Sequence, residues 1–91
     1  MDYKQRVIQN ARAYLGPNVK LSPSTRKDKK WMIERPDGKR VHFGASGYQD
    51  YTQHQDKSRQ QNYLRRSAGI QGDWKADKYS PNNLSRSILW M

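Results

Sequence analysis

The stretch Trp31–Phe43, "WMIERPDGKRVHF", limits what this chain can fold into more than any other. Two short runs, "WMIE" and "RVHF", flank Arg35-Pro36-Asp37-Gly38-Lys39. Pro fixes φ, Asp caps its own backbone and Gly accepts positive φ, so the middle is a turn and the whole is a β-hairpin. A period of two puts Trp31 and Ile33 on one face of the first strand, and Val41 and Phe43 on one face of the second. Two strands alone are marginal in water, so other elements must cover that face. Material for this is scarce: hydrophobic residues make up 33% of the 91, and mean hydropathy is −1.27. The six Tyr, three Trp and one Phe supply what such a composition otherwise lacks, because each ring buries a large area.

Helices are expected on both sides of the hairpin. Asp2 to Leu15 carries Val7, Ile8, Ala11, Tyr14 and Leu15 at helical spacing, with Asp2 as cap and Gly16-Pro17 as stop. Its apolar stripe is narrow, which suggests a docked arm (1–16) beside a domain spanning 17–91. Asn18 to Lys30 reads as a loop. Tyr48 to His54 forms a turn or short helix, and Asp56 to Arg66 a further helix on which Arg59, Tyr63 and Arg66 share a face. Near the end, Ser80 caps and Pro81 opens a terminal helix with Leu84, Ile88 and Met91 on one side and Trp90 as an aromatic plug. The expected class is α+β: one antiparallel hairpin of two strands, extendable to three, packed by short helices.

Eighteen Lys+Arg against eight Asp+Glu give a net charge of +10. That excess favours polyanions, nucleic acid before an acidic protein surface or anionic lipid. The cations cluster twice. Lys20, Arg26, Lys27, Lys29 and Lys30 surround the single acid Asp28, in a loop rich in Ser and Thr. Lys57, Arg59, Arg65 and Arg66 share a segment without an acid. These nine are the candidate nucleic-acid-binding residues. The chain has no cysteine, no apolar run near the roughly 20 residues of a membrane span, and no signal-peptide core at its N-terminus. The expectation is a soluble protein made and used inside a cell.

His42, Tyr48, Asp50, Tyr51, His54 and Asp56 gather enough polar chemistry to suggest an active site. The spacing of the two histidines matches no short metal motif, and His42 points away from the hydrophobic face. No serine sits in a nucleophile elbow, and the glycines form no phosphate loop. The reading is therefore a structural polar corner, with Asp50 and Asp56 capping helices. No enzyme activity, metal, cofactor or small-molecule substrate is expected.

Several unusual words occur in one order between Leu21 and Trp90: "STRKDKK", "PDGK", "VHFG", "GYQDYTQHQD", "RQQNYLRR" and "LSRSILW". Together they resemble a family of small basic proteins of large double-stranded DNA viruses, phycodnavirus and giant-virus types, with similar sequences in some marine phages. The chain departs from that pattern at Arg65-Arg66-Ser67, where relatives often carry Arg-His or Arg-Asn. The resemblance implies no catalytic residues. It does imply a viral setting: the virion, and the host cytoplasm or nucleus during infection. Two roles follow as expectations. One is a non-enzymatic virion protein that binds nucleic acid, DNA first, without sequence preference. The other is a minor capsid protein that staples larger capsid subunits.

Overall fold

The computed structural model describes residues 2–91 and bears out the α+β expectation. In chain order the elements are α1 (Tyr3–Leu15), β1 (Lys20–Pro23), β2 (Lys29–Glu34), β3 (Arg40–Ala45), α2 (Tyr51–His54), α3 (Lys57–Ala68), a 3₁₀ turn (Trp74–Ala76) and α4 (Pro81–Leu84). A π-helical extension, Ser85–Leu89, continues α4.

The hairpin forms around its expected turn. Arg35 N–H donates to Lys39 C=O at 2.7 Å, Gly38 N–H to Arg35 C=O at 2.9 Å, and Lys39 N–H to the Asp37 carboxylate at 3.1 Å. The sheet has three antiparallel strands in the order β1-β2-β3. Leu21, Ile33 and Val41 stand side by side across it, as do Pro23, Trp31 and Phe43. Part of the region read as a loop, Asn18 to Lys30, is therefore an edge strand. Four residues ending in proline are weak strand material, yet Leu21 lands beside Ile33 and gains a buried neighbour. Proline is tolerated there because an edge needs no N–H on its outer side.

α4 and its extension lie against β3, and α1 lies against the extension. One core results, in which Val7, Ala11, Ile33, Phe43, Leu84, Ile88 and Leu89 are all essentially inaccessible. Val7 and Ala11 of α1 belong to the same core as the sheet and the C-terminal residues. Polar side chains lock α1 in place as well. Arg6 donates to Thr52 C=O at 2.9 Å, Asn10 to Ile88 C=O at 2.8 Å, and the Tyr14 hydroxyl to Lys78 C=O at 2.9 Å.

At the other end, the Ser80 hydroxyl accepts from Asn83 N–H and Pro81 takes the first helical position, as expected. Leu84 and Ile88 are buried, but Met91 is 58% exposed and lies outside the core. The wide π turn, closed by Trp90 N–H on Ser85 C=O at 3.1 Å, changes the helical phase after Leu84. Leu89 and Trp90 are thereby brought round to the face of the molecule where α3 lies.

Candidate nucleic-acid interface

The candidate interface starts at two aspartates. Asp50 accepts from Thr52 N–H at 3.0 Å and caps α2, while Gln53 reaches back to Asp50 N–H at 3.1 Å to complete a capping box. Its other carboxylate oxygen takes the Lys30 ammonium at 3.0 Å, and Gln53 Oε1 takes the same ammonium at 2.9 Å. Both charges are largely out of water, with side-chain exposures of 17% for Lys30 and 5% for Asp50. The pair thus ties β2 to α2. Asp56 caps α3, accepting from Ser58 N–H at 3.0 Å and Arg59 N–H at 3.3 Å.

His54 sits at the junction of the two helices. Its Nδ1 accepts from Asp56 N–H at 2.9 Å, and its buried Nε2 meets no hydrogen-bonding partner among the described residues. The ring stands edge-on to Trp90, with centroids 5.4 Å apart, and to Tyr51 at 6.1 Å. Burial lowers its pKa below the usual 6.5, and the neighbouring Arg59 charge adds to the effect.

Asp50, Tyr51, His54 and Asp56 therefore do form one corner, and two expected members lie outside it. His42 is on the outer face of the sheet beside Met32, with Nδ1 at 2.7 Å from the Ser24 hydroxyl. Tyr48 is 75% exposed on the turn between β3 and α2. Among the described residues no group of three or more His, Asp and Glu converges as metal ligands.

Next to this corner lies a groove of about 730 Å³. One wall is α3, whose Arg59, Asn62, Tyr63 and Arg66 project to the same side at spacings of three and four. The end of β3, with Gly44 and Ala45, and Tyr48 in the turn after it form the opposite wall. Leu89 and Trp90 close the base, and the Trp90 indole stacks on Tyr63 at 4.2 Å with 8° between the planes. Burial pushes the Tyr63 phenol up, opposed by the Ser85 hydroxyl. Gln60 donates to Trp90 C=O at 2.8 Å and Arg86 to Leu64 C=O at 2.7 Å, so α3 is anchored to the C-terminal segment on which the groove depends. Ser67 is buried and accepts from Arg86 as well.

The nine expected cations divide unequally. Lys30, Arg59, Arg65 and Arg66 line the groove, but the Lys30 ammonium is committed to Asp50 and Gln53. Lys20 pairs with Glu34 at 3.1 Å and Arg26 with Asp28 at 3.7 Å. Lys27 and Lys29 belong to the β1–β2 hairpin, and Lys57 lies over the Tyr51 ring at 5.4 Å. Arg59, Arg65 and Arg66 are exposed and form no ion pair among the described residues. Asn62 and Trp90 were outside the sequence-based site. The spacing R-x-x-N-Y-x-x-R over Arg59–Arg66 carries the signal for Asn62, whereas nothing local to Trp90 shows that it meets Tyr63.

Fold and groove define a small basic α+β domain with a cationic, aromatic-based cleft. By its residues 19–67, more than half of its length, the chain belongs to DUF5754, a family of unknown function. The matched segment contains the sheet, the capped corner and nearly all of α3, and it excludes α1 and the C-terminal Trp90. No curated protein and no solved structure matches the chain significantly.

Proposed function

We propose that this chain is a non-enzymatic virion protein that binds nucleic acid, DNA first, without sequence preference. One observation carries the reading: Arg59, Arg65 and Arg66 border a single groove and have no paired carboxylate among the described residues, on a chain of net charge +10. Arginine presents a planar fork of donors suited to phosphate oxygens, and weak hydration makes its transfer from water to phosphate easier than for lysine. The longest extent of the molecule, 36 Å, would cover roughly ten base pairs at about 3.4 Å each. Such a footprint allows several phosphate contacts.

Binding of this kind displaces counterions, so the logarithm of affinity should fall linearly with the logarithm of salt, by about 0.9 per phosphate neutralised on a duplex. Affinity for a random-sequence DNA over a salt series is the test. A steep negative slope with little dependence on sequence is expected. No binding at low salt, or an affinity indifferent to salt, would refute the proposal.

A second reading, the minor capsid protein, draws support from exposed apolar side chains: Ile8 at 41%, Ile70 at 52% and Met91 at 58%. Retention of the protein in particles emptied of genome and treated with nuclease would favour it. Loss with the genome would favour the first.

A further inference from the structure

From the shape and chemistry of the groove we infer that it seats an unpaired base of a single-stranded nucleic acid, stacked on Tyr48, with Arg59 and Arg66 on the flanking phosphates. This rests on the nucleic-acid reading above and adds to it the form of the partner and the residue that tells strand from duplex.

Three observations converge. First, the cleft is concave and about 730 Å³ in volume, within the range of sites that enclose a small organic group. A duplex presents a convex cylinder with its bases already stacked inside. It can touch the rim of such a cleft with phosphates but cannot enter it. Second, the base of the cleft is apolar and aromatic, with Leu89 buried beside the stacked Tyr63 and Trp90 pair. Phosphate alone would gain nothing from that surface, whereas a base has an apolar face to bury. Third, Tyr48 stands 75% exposed on the opposite lip. A ring left in water on a chain so short of apolar material, in a turn that also lines the cleft, is placed to stack on something that arrives.

Charge selects the occupant. Arg59, Arg65 and Arg66 line the cleft, while its carboxylate, Asp50, is already neutralised by Lys30. Asp50 also accepts from Thr52 N–H and from the Thr52 hydroxyl, so its oxygens are occupied. The cleft thus offers cations at the lip and rings within, the combination that single-strand platforms use. An acidic peptide would satisfy the arginines but has no flat π face for Tyr48.

The experiment uses the full chain and three fluorescein-labelled probes of equal length: oligothymidylate, its duplex with oligoadenylate, and a single strand of abasic sites. Anisotropy is read at low salt for the wild type, Tyr48→Ala and Tyr48→Phe. Because Tyr48 is exposed on a turn, neither substitution disturbs the core. The wild type should prefer oligothymidylate to both other probes. Tyr48→Ala should weaken oligothymidylate binding by roughly 5- to 150-fold, the worth of one base stack, and leave the duplex and abasic probes unchanged. Tyr48→Phe should retain wild-type affinity. If all three probes bind equally and Tyr48→Ala has no effect, or weakens all alike, the groove inference fails while general nucleic-acid binding stands. If polyglutamate of equal charge displaces oligothymidylate as well as unlabelled strand does, the groove belongs to acidic peptides instead. If no probe binds, both readings fall together.

Discussion

Replacing Gly44 with alanine should damage this protein far more than the same change at Gly47. Both glycines have positive φ, +82° for Gly44 near the end of β3 and +85° for Gly47 in the turn that follows. An L-residue held on that side of the map costs about 1–2 kcal/mol. At Gly47 that is the whole effect, since nothing lies within 4 Å of the added Cβ. At Gly44 the new methyl would stand 2.7 Å from Leu89 Cδ1 and 3.4 Å from Lys30 Cβ. Neither neighbour moves freely, because Leu89 is in the core and Lys30 is held by Asp50 and Gln53. Overpacking of this kind adds about 1–3 kcal/mol, for a total of about 2–5 kcal/mol. With a urea m-value of about 1 kcal/mol/M for a chain this small, the midpoint should drop by about 2–5 M at Gly44 and about 1–2 M at Gly47. Urea unfolding followed by tryptophan fluorescence measures both. Equal losses at the two positions would refute the close approach of Leu89 to β3, and with it the base of the groove as described. Leu89→Val, which shortens the obstructing side chain, should make the Gly44→Ala increment smaller.

Two further outcomes follow from the capped corner. Asp50→Ala should cost about 3 kcal/mol, because it strands the Lys30 ammonium away from most water. Asp56→Ala removes only a cap and should cost about 1 kcal/mol, so similar losses in urea unfolding would contradict the ranking. His54 makes stability depend on pH below about 6.5. The unfolded histidine takes up its proton near 6.5, while the folded one does so only at lower pH, since burial and Arg59 oppose the charge and Nδ1 already accepts from Asp56 N–H. Between those values the unfolded chain binds more protons, so stability falls as the pH falls and levels off below the folded pKa. His54→Phe should flatten that part of the profile, and an unchanged slope would count against the role assigned to His54.

How much of this was legible in the chain depended on the range of the forces involved. The Pro-Asp-Gly turn, the caps at Asp2, Asp50, Asp56 and Ser80, and the shared face of Arg59, Tyr63 and Arg66 are set by residues within one or two turns of each other, and each appears as read. β1 was missed because its identity comes from its partner: Leu21 is in a strand by virtue of Ile33, twelve residues on. The narrow stripe of α1 does not announce how tightly Val7 and Ala11 meet the C-terminal segment, because that contact joins residues at opposite ends of the chain. The two histidines looked alike in sequence and have different settings, His42 on the outer sheet face and His54 against Trp90. The groove itself depends on contacts between residues such as Tyr63 and Trp90, far apart in the chain, and on a π turn that no local propensity announces.

The most direct test of the account is a map of backbone amide chemical shifts of the intact, isotopically labelled protein during titration with a short oligothymidylate. The largest changes should fall on Ala45–Tyr48, Arg59–Arg66 and Trp90, the walls and base of the groove, with the β1–β2 turn and α1 little affected. Changes centred on the β1–β2 turn, on α1, or spread evenly over the surface would contradict it.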